Sequence, residues 1–274
     1  MSLKGKIHIC GMTHPGRVRD HNEDAIGTDE EMGLLVLADG MGGYKAGEVA
    51  SAIAIETVTK RITGSLPDLK RGEVDQATGL SADSMLLKKA VEEANRAING
   101  ASKSQPQCEG MGTTIVACMF YDNRVSIAHV GDSRLYRIRN NEFQQITLDH
   151  SLLQELISRG FYTPAEARKS LNKNLVTRAL GVDPTVEVEV QEDVVLVGDT
   201  FLLCSDGLSD MVEDDDIHLT ISTFSANLQM AAEQLVQLAN ENGGRDNISV
   251  ILSRVEKSFE AKKGFFSRFT EWFG

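Results

Sequence analysis

Four aspartates stand where an apolar run stops: Asp39 after GLLVLA, Asp132 after AHVG, Asp206 after FLLCS, and Asp246 just before NISVIL. Each is thereby anchored beside a buried strand and not on a solvated helix. One Asp-Gly or Gly-Asp step signals no more than a turn. Four of them in such positions constrain the fold harder, because strand ends that gathered them would set carboxylate against carboxylate. At 4 Å and an effective dielectric near 20, each close pair repels by about 4 kcal/mol. Convergence therefore demands cations, and oxygen-only donors favour hard ions, Mg2+ or Mn2+. Cys10, Cys108, Cys118 and Cys204 lie far apart with no Cys-x-x-Cys pair, which speaks against zinc and suits free thiols in a reducing compartment.

The periodicity places strands at 6–12 and 33–38, separated by a polar loop that contains Arg19-Asp20-His21-Asn22-Glu23-Asp24. Glycines 40, 42 and 43 break the chain before an amphipathic helix over 48–62, and a second helix is expected over 82–101. Three β-rich runs follow, 112–120, 124–130 and 134–138, and the turns Asp122-Asn123 and Gly131-Asp132 between them read as an antiparallel meander. From Thr147 to about Leu180 the pattern is helical and polar; strands return at 186–190 and 200–204. A helix over 226–240 precedes a last strand over 247–255, and Glu213-Asp214-Asp215-Asp216 reads as an acidic helix start. Runs of strands broken by runs of helices, without βαβ alternation, predict an α+β sandwich.

The formal charge of −12 on 274 residues argues against nucleic acid and anionic membrane as partners. With no apolar run long enough to span a bilayer and no signal-type start, the expectation is a cytoplasmic protein. Six of the fifteen aromatic residues fall in the last sixteen positions: Phe259, Phe265, Phe266, Phe269, Trp272 and Phe273. Phe266, Phe269 and Phe273 share a helical face, so 256–274 reads as an amphipathic tail that docks on its own domain, on a partner or on a membrane surface.

In order along the chain come Arg19 with Asn22-Glu23-Asp24, Ala38-Asp39-Gly40-Met41-Gly42-Gly43, Gly47-Glu48 and Gly110-Met111-Gly112-Thr113-Thr114. There follow His129-Val130-Gly131-Asp132-Ser133-Arg134, Thr147 with Asp149-His150-Ser151, and Thr177-Arg178-Ala179-Leu180-Gly181. The series closes with Cys204-Ser205-Asp206-Gly207-Leu208 and Gly243-Gly244-Arg245-Asp246-Asn247. In this ordered set the chain resembles the metal-dependent protein phosphatases of the protein phosphatase 2C (PPM) type, in their bacterial form, over nearly everything except the tail.

The resemblance implies a four-layer αββα fold, a central antiparallel β-sandwich flanked by helices, as one domain over 1–255. It implies two Mn2+ or Mg2+ ions at one end of the strands, with a weaker third. Asp39 would bridge the ions, Gly40 would offer its carbonyl, and Asp206 and Asp246 would complete the first site. Glu23 and Asp24 would hold ions directly or through water, and Asp132 would serve the third with Asp206. The expected reaction is hydrolysis of phosphoserine and phosphothreonine in proteins by a metal-bridging water, with the planar donor fork of Arg19 receiving the phosphate. Against that role stands a plain ion pair of Arg19 with Asp20 or Glu23.

The chain departs from the family where animal members resemble Asp-Gly-His, or where many bacterial ones carry histidine after Gly-Gly. Met41 and Tyr44 stand there, leaving a metal-bound water or Tyr44 as candidate proton donors. His129, inside SIAHVG, reads as a satisfied core histidine and His150 as a turn-ordering one. The stretch 149–181 falls where the family has a flap, and Arg159, Arg168, Lys169, Lys173 and Arg178 make it basic enough to steer an acidic phosphopeptide. A monomer that opposes a Ser/Thr kinase, acting on the kinase or its targets, fits this reading. The rivals are a pseudophosphatase acting as a binding module, and a hydrolase of small phosphoesters.

Overall fold

The computed structural model describes residues 2–42, 46–163, 166 and 175–261. Along the chain run β1 (Ile7–His14), β2 (Asp24–Asp29), β3 (Leu34–Met41), α1 (Ala46–Ser65), α2 (Ala82–Ser104), β4 (Gly112–Thr113), β5 (Ile115–Tyr121) and β6 (Arg124–Val130). They are followed by β7 (Arg134–Arg139), β8 (Glu142–Gln145), α3 (Leu152–Ser158), β9 (Glu189–Val194), β10 (Thr200–Cys204), α4 (Asp206–Ser209), α5 (Asp214–Thr223), α6 (Leu228–Glu241) and β11 (Ile248–Val255).

The strands form two antiparallel sheets, one ordered β1-β11-β10-β7-β8, the other β2-β3-β5-β6-β9 with β4 added beside β3. Three apolar layers hold them. Leu35, Leu37, Phe120, Phe201, Leu203 and Ile251 fill the space between the sheets. Alternate residues of the same β3 run, Leu34, Val36 and Ala38, face the other way onto Ala50, Ala54, Val58, Leu87 and Val91 of the first two helices. A strand buried on both faces reads as an unbroken apolar run, which is what GLLVLA is. Behind the other sheet, Leu202, Cys204 and Val250 pack on Ile217, Ala231, Leu235 and Ala239 of the last two helices. The expected αββα layering is present.

The meander expectation fails at one point. β5 and β6 pair as a hairpin across Asp122-Asn123, both at positive φ, but β7 pairs with β10 and β8 in the opposite sheet. Gly131-Asp132 is thus a crossover between sheets, and no hairpin closes there. Gly131, at φ +108, makes the bend. Asp24 is not in the predicted loop either; it opens β2 and lies directly across from Asp39.

Phe259, head of the aromatic run, is buried and meets Phe120 edge-on with centroids 6.4 Å apart. Its N–H donates to Asn123 Oδ1 (2.7 Å) and that of Ala261 to Asp122 Oδ1 (2.6 Å), so the hairpin turn holds this stretch by its backbone. The other five aromatic residues of the tail lie outside the described residues, as do Tyr44, Arg168, Lys169 and Lys173.

Candidate metal centre

Five carboxylates arrive at one end of the sandwich from five separate places: Asp24 at the start of β2, Asp39 near the end of β3, Asp132 in the crossover, Asp206 opening α4, and Asp246 just before β11. Asp24 and Asp132 are buried, whereas Asp39, Asp206 and Asp246 are half-buried, so the cluster is walled behind and open in front. The backbone of Asp39 is fixed by β5 and its approach. Its carbonyl accepts from Thr114 N–H (2.9 Å) and Thr113 Oγ1 (2.8 Å), and its N–H donates to Thr114 Oγ1 (3.2 Å). Gly40 has no room for a side chain, since a Cβ would run into the backbone of Gly47 and Glu23. That close approach seats the first turn of α1 against the site.

The charges respond as convergence requires. Burial, and then the neighbouring aspartates, raise Asp39 and Asp206 well above the ordinary carboxylate range. Burial likewise raises Asp24 to about 6, against bonds from Ser249 and Ser205 that pull it down. Burial and Asp149 raise Asp132 to about 6. Like charges set opposite one another across a strand pair destabilise it, and Asp24 faces Asp39 in that way. Asp24 Oδ2 accepts from Ser205 Oγ (2.9 Å), while its Oδ1 is buried with no hydrogen-bond partner among the described residues. An orphaned carboxylate oxygen within a cluster of mutually repelling carboxylates is what a cation would satisfy. The donor set is all oxygen and fits Mg2+ or Mn2+, not zinc.

Arg19 pairs neither with Asp20 nor with Glu23. Its Nη2 donates to Asp246 Oδ2 at 2.7 Å, and the side chain stays more than half exposed at the rim. Asp246 holds the Arg19 guanidinium above its ordinary pKa, first by that hydrogen bond and then by charge. Half-buried Glu23 lies beside it, its carboxyl raised by burial despite a bond from the Gly47 N–H.

The loop carrying both is clasped by a residue that charge reasoning missed. Asn247 Oδ1 accepts from Glu23 N–H (2.7 Å), and Nδ2 donates to the carbonyls of Pro15 (3.1 Å) and His21 (2.9 Å). The Asp-Asn step in the sequence was the available signal. Ser205, Thr114 and Asp210 were missed too; Asp210, at the end of α4, acts on Asp132 and Asp206 through its charge.

His129 is buried, as expected of a core histidine, but only half satisfied. Nε2–H donates to the Leu148 carbonyl (2.9 Å), and Nδ1 has no partner among the described residues. With His150 and Glu189 it brings three donor atoms within 4.8 Å of one another. His150 does order a turn, through two bonds to Gly131. Of the basic residues expected around 149–181, Arg159 lies 3.8 Å from Glu155 and Arg178 pairs with Glu187 at 3.0 Å.

The family model described as Protein phosphatase 2C matches residues 11–251. A protein named serine/threonine phosphatase stp, from Listeria welshimeri, is 37% identical over 259 residues, which is 93% of this chain and 98% of that one. The crystal structure of serine/threonine phosphatase Stp1 from Staphylococcus aureus superposes with a TM-score of 0.81 at 33% identity, covering 93% of this chain and 98% of that one. The catalytic domain of the phosphatase PstP, solved in complex with two manganese ions, superposes with a TM-score of 0.79 at 36% identity over 92% of this chain and 99% of its own.

Proposed function

This chain belongs to the protein phosphatase 2C family and is a metal-dependent protein serine/threonine phosphatase; we propose how its own residues divide that work. Asp39 with the carbonyl of Gly40, Asp206 and Asp246 hold Mn2+ or Mg2+, Asp24 and Glu23 complete the set on the β2 side, and Asp132 with Asp206 serves a third ion. What supports this is the convergence of five carboxylates that raise one another's proton affinity, one of them with an oxygen left orphaned. The ions supply Lewis acidity, making water a nucleophile at neutral pH and neutralising charge on the phosphoryl oxygens.

Arg19 is the rim cation that receives the phosphate dianion. In the protein alone it is drawn to Asp246; a phosphate offers the same planar fork two oxygens at once. The orienting work falls to Asn247, which fixes the Arg19–Glu23 loop on the strand that follows Asp246. Ser205 and Thr114 play the same part for Asp24 and Asp39. Tyr44 is the proposed proton donor to the leaving serine or threonine oxygen. The segment 149–181 is proposed as the flap that selects phosphopeptides. We place the enzyme in the cytoplasm as a monomer opposing a Ser/Thr kinase, with the tail beyond its self-docked start at Phe259 reaching a partner or a membrane surface.

The test is phosphate release from a phosphothreonine peptide with Mn2+, with chelator, and with Asp206→Asn. Release that needs the metal and drops by about three orders of magnitude in the variant supports the assignment. Metal-loaded, folded Asp206→Asn protein that matched its parent would sink it. A parent that turned over small phosphate esters and no phosphopeptide would transfer the reading to a small-molecule hydrolase.

A further inference from the structure

His150 stands at the meeting of four pieces of chain. Its Nδ1 accepts from the Gly131 N–H (3.1 Å) and its own N–H donates to the Gly131 carbonyl (2.9 Å), so the residue before Asp132 is gripped on both sides. Gly131 lies close against Thr114 and admits no side chain, since a Cβ there would stand 2.6 Å from Cβ of Thr114. Thr114 is the residue that fixes the backbone of Asp39. On the far side, Nε2 of His150 reaches Glu189 Oε2 on β9 (3.2 Å), its ring stacks on His129 with centroids 4.6 Å apart, and its carbonyl accepts from Thr177 N–H (2.8 Å).

The tautomers exclude a cation among His129, His150 and Glu189. Because Nδ1 of His150 receives an amide proton, the neutral ring carries its own proton on Nε2, where a metal would need a lone pair. That N–H faces Glu189, and Nη1 of Arg178 lies 3.3 Å from the same nitrogen. The group is a hydrogen-bonded clamp.

We propose that His150 is a positioning residue for the reaction: through Nδ1 it fixes the Gly131-Asp132 crossover, through Nε2 it is anchored to Glu189 on β9, and through its carbonyl it ties Thr177, on the far stem of 149–181, to that crossover. The crossover on the metal side of the site is thereby held by the ring, and one stem of the segment proposed to select substrate by the same residue's backbone. This rests on the assignment of Asp132 to a metal, and its test reads the clamp separately from catalysis.

His150→Asn keeps an acceptor, Oδ1, near the place of Nδ1; His150→Gln keeps one near the place of Nε2. Gly131 amide exchange is followed by NMR and Mn2+ binding by calorimetry, on the full chain. In His150→Gln the Gly131 amide exchanges about tenfold faster and the weakest Mn2+ step loses about tenfold in affinity, the size expected when a hydrogen bond behind a metal ligand is lost. In His150→Asn both effects are at least about threefold smaller, because the amide keeps its acceptor. Equal behaviour of the two variants, or a Gly131 amide that does not respond to His150→Gln, overturns the proposal and leaves the ring as a space filler. A parent protein that hydrolysed nothing would refute the catalytic assignment while the amide measurement still decided this one.

Discussion

Asp83 and Asp24 are both buried aspartates, and they have been answered in opposite ways. Asp83, in the first turn of α2, is fully buried; Arg71 Nε donates to one oxygen (2.7 Å) and Gly72 N–H to the other (2.7 Å). Asp199 repeats the arrangement with Arg139 and the N–H of Leu196. Asp24 has the Ser205 hydroxyl on one oxygen, no hydrogen-bond partner on the other among the described residues, and the like charge of Asp246 acting on it. A buried carboxylate is tolerated when a cation and hydrogen bonds accompany it. Where a described residue supplies the cation, the aspartate serves the fold; where none does, the place suits the ion proposed above.

The comparison breaks most visibly at Asp39. Asp39→Asn should lower metal-dependent phosphate release by about three orders of magnitude, yet raise the melting temperature of chelator-treated protein, since it removes a repelling charge. A fall in both would mean that Asp39 belongs with Asp83. Next in size is Arg71→Ala, which strips the buried Asp83 of its counter-ion. About 3–5 kcal/mol of stability should go, read by urea unfolding, as expected for half of a buried pair.

Asn247→Ala sharpens the contrast from the ligand side. Losing three hydrogen bonds to the Arg19 loop should raise the KM for a phosphopeptide about tenfold with a smaller change in kcat, if the loss falls mainly on substrate placement. The smallest effect is in pH. Asp24 and Asp132 titrate near 6 in the folded protein, against an ordinary 3.8, so the folded state binds more protons and stability must fall as pH rises from about 4 through about 6. Chelated protein should therefore melt a few degrees, about 5 °C, lower at pH 7 than at pH 5. Mn2+ should restore more of that at pH 7, where it no longer competes with protons.

Much of this was legible in the sequence because the apolar runs are long and their ends are marked by charge. β6 and β10 fall where the pattern places them, and Asp39, Asp132, Asp206 and Asp246 lie near enough to act on one another through charge. The crossover at Gly131-Asp132 was not legible, since a Gly-Asp step between two short β runs looks the same whether the second run pairs with the first or leaves for another sheet. Asp24 was read as loop because DAIGTD carries too little apolar signal to announce a strand. The partner of Arg19 is 227 residues away, and local charge could offer only its neighbours Asp20 and Glu23. Asn247 was hidden for a different reason: an amide that acts through three backbone bonds leaves no charge pattern to find.

The first described strand pairs along its whole length with the last, Ile7 with Val255 through His14 with Ile248. For a chain being made on the ribosome this imposes an order of events. Arg19, Glu23 and Asp24 emerge early, but their loop follows β1, whose sheet neighbour is β11, and is clasped by Asn247, so closing this contact spans more than 220 residues. Such high contact order slows folding, and it also means that no nascent fragment ending before Ile248 can assemble the centre. Activity is withheld until translation of the domain is complete.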